Sequence, residues 1–344
     1  MPLPEESLRV AIAGAASLRG QDLKIWMEES GFPAGEVRLF DEEPLAGTLT
    51  GVAGEAAVIQ AIDEDSFRGL GFVFFAGSRA FAKLHGKAAA RADTTVIDLT
   101  GELAGAPGAR MWIPRLDSIQ APPQLVGNSG SSVPAGAIYV APSAPAIVAC
   151  SFCCAVAQFK PSRVAIVFFQ PASERGKEGV EELSAQTIKL LSLQAIPQEV
   201  FDCQVAFNML DRWGPDSAER LADVRAGIAE EVRRYLNGRV PVPAMSLVQA
   251  PVFYGHAFSA FAEFAGPVDA AGLAAGLEAA GFHIPGIEDP GPSNIAVAGE
   301  PKAMITAGAQ DASVPHGYWF WGAADNYRLP VSNATQIAEK ILAS

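Results

Sequence analysis

Positive charge is scarce in this 344-residue chain, where 25 Lys and Arg stand against 38 Asp and Glu for a formal charge of −13. That deficit, with no basic patch to offset it, excludes a surface suited to nucleic acid or to an anionic membrane. No stretch approaches the roughly 18 uninterrupted apolar residues of a membrane span. Cysteine is equally sparse. Four residues, three of them bunched at Cys150, Cys153 and Cys154, do not make a disulfide framework, and a reducing compartment is expected. Met1 to Glu6 has neither a positive segment nor an apolar one of the kind that heads a secretory signal, so the expected address is cytoplasmic. Internal repeats and low-complexity tracts are also absent.

What is there is ample apolar material, 49% of the chain, with 33 Gly and 25 Pro to punctuate it. The first half alternates buried-strand runs with helical spacing. Leu8 to Ala13 reads as a strand stopped by Gly14, and Gln21 to Ser30 as a helix with Leu23, Trp26 and Met27 on one face. Val37 to Phe40, Gly71 to Phe75 and Thr95 to Leu99 repeat the strand signal, with Phe81 to Arg91 helical between the last two. This order predicts a doubly wound parallel sheet. Pro107 to Gly136 reads as a loop, Pro-rich and carrying Gly127 to Ser132 near its end. The second half predicts helices over Pro145–Phe159, Lys177–Leu193, Ser217–Leu236 and Asn333–Leu342. Strands are expected over Arg163–Gln170, Ala244–Tyr254 and Ala257–Ala265, the last two suited to a sheet that closes a dimer interface.

Gly14-Ala15-Ala16-Ser17-Leu18-Arg19-Gly20 sits between the first strand and its helix, where a Gly-rich turn brings backbone N–H groups to a pyrophosphate. Ser17 occupies the place of the middle glycine, which leaves a functional loop and a degenerate relic both open. Asp41, followed by Glu42 and Glu43, ends the second strand where an adenosine ribose would lie. A carboxylate there favours NAD over NADP, the alternative being a solvated acidic loop and no cofactor at all.

Further along come Gln170-Pro171-Ala172-Ser173, Gly176-Lys177-Glu178-Gly179, Gln204-Val205-Ala206-Phe207-Asn208, Pro251-Val252-Phe253-Tyr254-Gly255-His256 and, near the end, Ala324-Asp325-Asn326 with Asn333 to Glu339. In these segments the chain resembles the aspartate-semialdehyde dehydrogenase family, most closely its Usg-type paralogues, from Val10 to Glu339. The resemblance implies a Rossmann-type NAD(P)-binding domain over 1–139 and 324–344, completed by the C-terminal helix. It also implies an α/β (α+β) domain over 140–323 that carries the active site and forms a homodimer. In the family a cysteine thiolate attacks the aldehyde, hydride passes to NADP and phosphate releases the acyl-enzyme, a chemistry that needs sulfur as nucleophile and leaving group.

Here that cysteine falls on Ala144, within Ala141-Pro142-Ser143-Ala144-Pro145. Cys150 is six residues away, about 9 Å along a helix, too far to substitute. The three thiols at i, i+3 and i+4 share a face, as a metal or redox cluster or as small buried packing residues. Ser143 reads as a helix cap. The family's substrate-gripping arginine corresponds to Gln249 and its phosphate-binding arginine to Ala104, while Glu231 and Arg234 match its Glu-x-x-Lys pair or form an ordinary surface pair. The resemblance leaves His256 as the acid/base and Gln170 as its orienting partner. It assigns Gly14, Ala16, Ser17, Gly20, Asp41, Ser173, Gly176, Asn326 and Gln336 to the cofactor, and no residue to a metal. Glu174 and Arg175 interrupt the turn between Ser173 and Gly176 and are expected to crowd a cofactor there, whereas His85, His283 and His316 lie in unrelated contexts. Two functions follow. One is a non-catalytic homologue that binds a small metabolite or a protein partner; the other is an NAD(P)-dependent oxidoreductase acting on a different carbonyl compound through His256.

Overall fold

The computed structural model describes residues 8–52, 55–63, 65–119, 136–286 and 288–344, so most of the Pro-rich loop, including Gly127 to Ser132, lies outside the described residues, as does Met1 to Glu6. The chain forms two compact units. One takes the described residues through Pro114, those from 136 to Ser143, and Pro330–Ser344; the other takes 115–119 and Ala144–Leu329.

In the first unit the strands are β1 (Arg9–Ala13), β2 (Glu36–Phe40), β5 (Phe72–Phe75), β6 (Thr95–Asp98), β7 (Arg110–Met111) and β8 (Ile138–Val140). They pair in the order β2-β1-β5-β6-β8-β7, every pair parallel. Helix α1 (Leu18–Glu29) follows β1, α2 (Arg79–Arg91) follows β5, and a hairpin of β3 (Leu49–Val52) and β4 (Glu55–Val58) stands apart from the sheet. Alternation along β1 explains the layering. Val10 and Ile12 face Leu23 and Met27 of α1 and Val331, Ala334 and Ile337 of the C-terminal helix. Ala11 and Ala13 face the opposite way, into a cluster with Val73, Phe75 and Phe81, Ala82 and Ala89 of α2. Helices on both faces let these strands be apolar throughout.

The second unit is built on α3 (Ala144–Ala157), a helix buried from Ala144 to Val156 on every side. It packs against β9 (Pro161–Gln170), α5 (Leu221–Leu236) and α6 (Ala270–Ala279); α4 (Gly176–Leu191) lies between β9 and α5 in the chain. The sheet runs β10 (Ala244–Gln249), β9, β11 (His256–Phe264), β14 (Gly317–Ala324), β12 (Met304–Ile305), with β13 (Ala309–Gln310) also on β14. It is mixed, since β10 and β9 are parallel and the remaining pairs antiparallel. Ile166, Phe168, Phe258, Ala260 and Phe320 turn inward, where Phe152 of α3 meets Phe320 with ring centroids 5.0 Å apart. The other face keeps Phe169, Phe261, Trp319 and Trp321 partly exposed. Helix α7 (Arg328–Leu342) closes the chain and starts five residues before its expected first residue, because Pro330 falls in its first turn, where the missing N–H costs nothing.

The expected strand over Ala244–Tyr254 stops at Gln249. Pro251 lacks a donor for the ladder, and the carbonyls of Val252 and Phe253 are spent on the amides of Ala172 and Ser173, at 2.8 and 3.0 Å. Among the described residues no helix is long and apolar enough to cross a membrane.

Candidate functional site

The Gly-rich turn of the first unit is assembled by its own backbone. Gly14 has φ +93°, and a Cβ on it would stand 2.2 Å from the backbone of Gly77, so side chains are shut out of that crossing of strand ends. Ser17 caps α1 by accepting from Gly20 N at 2.9 Å, and its Oγ also lies 2.8 Å from Gly14 O and 2.9 Å from Ala76 O. Ser17 thus serves as the cap of α1. Asp41 is 6% exposed and is not part of a solvated loop, although Glu42 and Glu43 are exposed. Its Oδ2 accepts from Ala16 N at 2.7 Å and its Oδ1 from Glu42 N at 2.9 Å. Gly14 N and Ala15 N donate to Phe40 O, and Ser17 N to Gly14 O. That leaves the amides of Leu18 and Arg19 at the head of α1, an arrangement that suits an anion.

In the second unit the ends of four strands line up in one row. Gln249 pairs with Gln170 across β10 and β9, His256 pairs with Ala324 across β11 and β14, and Gln170 and His256 lie one step past the Ala257–Phe169 pair. Paired residues project to one side of a sheet, so these side chains share the buried face. His256 is 1% exposed, and its Nε2 lies 3.2 Å from Glu174 Oε1. Asn326 Nδ2 donates to the same oxygen at 3.2 Å and to Ser173 Oγ at 3.1 Å, while Asn326 Oδ1 accepts from Gly255 N at 2.9 Å. The Tyr327 hydroxyl donates to Ser173 O. A carboxylate facing Nε2 fixes the ring with its proton on that nitrogen. Nδ1 of His256 and Nε2 of Gln170 are both buried without a hydrogen-bond partner.

Glu174 and Arg175, expected to crowd a cofactor, each have a partner within the protein. Glu174 joins His256 and Asn326; Arg175 pairs with Glu219 and lies 5.2 Å from the centroid of the Trp213 ring. Gln249, completely buried, accepts from Trp213 Nε1 at 3.2 Å and donates to the carbonyls of Gln170 and Ala250, each at 3.1 Å. A neutral amide thus has the contacts it needs in place of an anchoring charge. Gly176, at φ +69°, turns the chain into α4. Gln336 is half-buried on α7 and makes no side-chain hydrogen bond among the described residues.

Ala144 is 1% exposed at the first position of α3, and Cys150, Cys153 and Cys154 are buried farther along it. Burial pushes the Cys154 thiol up to about 11 and those of Cys150 and Cys153 higher still, so all three stay protonated and unreactive near neutral pH. Among the described residues no group of three or more His, Cys, Asp or Glu is arranged to hold a metal ion. Arg234 pairs with Glu230 at 3.6 Å on the exposed side of α5, whereas Glu231 is half-buried and close enough to Cys150 to raise its thiol further. Ala104 sits in a short 3₁₀ turn after β6. Glu174 is the residue that motif reading missed as a contributor to the site; its partner is 82 positions away in the chain and no local pattern joins them.

Comparison with known proteins agrees with both units. The model of the semialdehyde dehydrogenase NAD binding domain matches residues 9–142, and that of the semialdehyde dehydrogenase dimerisation domain matches 154–329. A USG-1 protein homolog from Pseudomonas aeruginosa is 29% identical over 278 residues, 80% of this chain and 79% of that protein. A USG-1 protein homolog from Azotobacter vinelandii is 28% identical over 98% of both chains. A solved structure of a probable aspartate-semialdehyde dehydrogenase from Pseudomonas aeruginosa superposes with a TM-score of 0.83 at 26% identity, covering 98% of this chain and 99% of that one. With the parallel sheet of the first unit and the mixed sheet of the second both lying within the matched residues, the chain belongs to the semialdehyde dehydrogenase family.

Proposed function

We propose that this chain is a non-catalytic semialdehyde dehydrogenase homologue, a cytoplasmic homodimer that keeps the family fold and binds a small metabolite or a protein partner without acyl transfer. The observation that carries this reading is Ala144, a methyl group at the head of α3 where the family motif has its thiol. No other thiol on that helix replaces it: Cys150 begins about 9 Å further along, and burial keeps it protonated. Gln249, bonded on three sides within the protein, supports the same reading, because a buried neutral amide offers a substrate carboxylate no charge. The half-exposed aromatic face of the second unit's sheet, with Trp319 46% and Trp321 42% exposed, supports dimerisation through that face.

A second reading, an NAD(P)-dependent oxidoreductase acting on another carbonyl compound, rests on the buried Nδ1 of His256 and Nε2 of Gln170, an acceptor and a donor with no protein partner. Such a pair suits a small polar molecule between them. The two readings separate in one assay. The purified protein is expected to form no reduced nicotinamide from aspartate semialdehyde, phosphate and NAD or NADP, and Ala144→Cys to recover little. Turnover in the wild type that disappears in His256→Ala would overturn the non-catalytic reading, and NAD reduction with a different aldehyde would favour the second.

A further inference from the structure

We propose that Lys24 is a site of acylation, where a small acyl phosphate enters the cavity between α1 and the β3 strand and transfers its acyl group to the ε-amine. This goes beyond the reading above and does not depend on it, since Lys24 has no part in the strand-end row of the second unit.

The helix places the amine. Gln21, Lys24, Ile25 and Glu28 recur at i, i+3, i+4 and i+7, a stripe of α1 beside the one that packs Leu23 and Met27 on the sheet. Facing the stripe are Leu49, Thr50 and Gly51 of β3, with Thr48 before them and Ile59 after the hairpin. The space between is a cavity of about 530 Å³ that also reaches Ala15 and Ala16 ahead of the helix. Gly51 has no side chain to fill it, and Gln21 is drawn aside, its Nε2 donating to Ala16 O at 2.8 Å. At about 30 Å³ per water in the liquid, the cavity has room for a molecule the size of acetyl phosphate.

Of the chain's eight lysines Lys24 alone is buried, at 8% exposed; the other seven are exposed or half-buried. Its Nζ donates to Thr50 Oγ1 at 2.7 Å and forms no ion pair among the described residues. An ammonium carries three donors, so this one is withdrawn from water with a single protein partner, and burial lowers its pKa. Glu28, the one other ionisable residue lining the cavity, pulls the other way. More of this amine is therefore neutral at a given pH than of a fully hydrated lysine, and only the neutral form has a lone pair for an electrophile. In the transfer the amine nitrogen bonds to the acyl carbon, the bond from that carbon to the phosphate oxygen breaks, inorganic phosphate leaves, and the surplus proton on nitrogen passes to water. The amide formed is neutral and keeps an N–H for Thr50, so the charge that burial opposes is gone, while Ile25, Leu49 and Ile59 offer apolar surface to the acyl chain.

Incubating the full-length protein with acetyl phosphate at pH 8, sampling over time and reading each lysine by mass spectrometry tests this directly. Lys24 is expected to be acetylated about five-fold faster than any of the other seven, and its rate to level off at a lower pH than theirs. Glu28→Gln removes the carboxylate that favours the charged amine, so it should speed acetylation of Lys24 by about two-fold and leave the other lysines unchanged. A rate at Lys24 below those of the exposed lysines, a pH profile that coincides with theirs, or no change at Lys24 in Glu28→Gln overturns the proposal. Acetylation of Lys24 only once the protein is unfolded by urea overturns it as well, and would make the amine a packing group held by Thr50.

Discussion

Placing arginine at Gln249 should damage the protein. The side chain is fully buried and serves three partners: it accepts from Trp213 and donates to two main-chain carbonyls. Arginine has donors and no acceptor, so in Gln249→Arg the indole N–H of Trp213 is orphaned, at a cost of about 1–3 kcal/mol. The cation already seated on that indole, Arg175, adds like charge. An uncompensated buried charge costs about 3–5 kcal/mol and dominates the total. For a unit of this size each kcal/mol lowers the melting midpoint by about 2–4 °C, so the buried charge alone gives a fall of roughly 6–20 °C. Far-UV circular dichroism melts of the wild type, Gln249→Arg and Gln249→Met measure it. The methionine variant keeps the volume and loses only the hydrogen bonds, so it should fall between the other two. An arginine variant melting within about 2 °C of wild type would mean that position 249 reaches solvent or an anion, and the account of it as a structural hub would be wrong.

Three further outcomes are expected. Cys150, Cys153 and Cys154 should resist a thiol reagent at pH 8 until the protein unfolds, since burial raises all three thiols; rapid labelling of any of them, located by mass spectrometry, would contradict this. Lys24, 8% exposed with its Nζ 2.7 Å from Thr50 Oγ1, has a pKa lowered by burial. The folded chain thus holds that proton less tightly than the unfolded chain, so the charge opposes folding at neutral pH and the penalty fades as pH rises through the lowered value toward 10.5. The stability of Lys24→Met relative to wild type should accordingly be highest near pH 7 and decline toward pH 10; a difference that does not vary with pH would refute that linkage. Glutamate at both Trp319 and Trp321 should shift the protein from dimer to monomer in sedimentation velocity, and an unchanged dimer would move the interface away from the aromatic sheet face.

The parallel sheet was legible because its strands are buried on both faces and read as unbroken apolar runs, Phe72–Phe75 being the plainest. Elements whose composition blurs their period were not. Helix α6 reads Ala-Ala-Gly-Leu-Ala-Ala-Gly-Leu-Glu-Ala, too small and too uniform to show a polar face, and the Gly-rich hairpin of β3 and β4 has no clear alternation. Strand β14 escaped notice although its residues are aromatic, since half of them face outward. The structure brings His256, Gln170, Ser173 and Asn326, all named from motif order, to one place, and it adds Glu174, which motif reading treated as an intruder. A motif records which residue stands at a position and carries no account of the tertiary partner a new side chain will find. Gln249 teaches the same lesson, since no local pattern points to Trp213 as its partner.

Glu174 also changes what kind of molecule the strand-end row can tolerate. Its carboxylate sits against the one imidazole available there and holds the hydrogen-bonding capacity of Asn326 as well. An incoming dicarboxylate or phosphate ester would bring negative charge toward negative charge. A neutral or cationic molecule would face no such barrier and would find a ready-made acceptor. A single acidic side chain in that row thus sets the sign of charge that it admits.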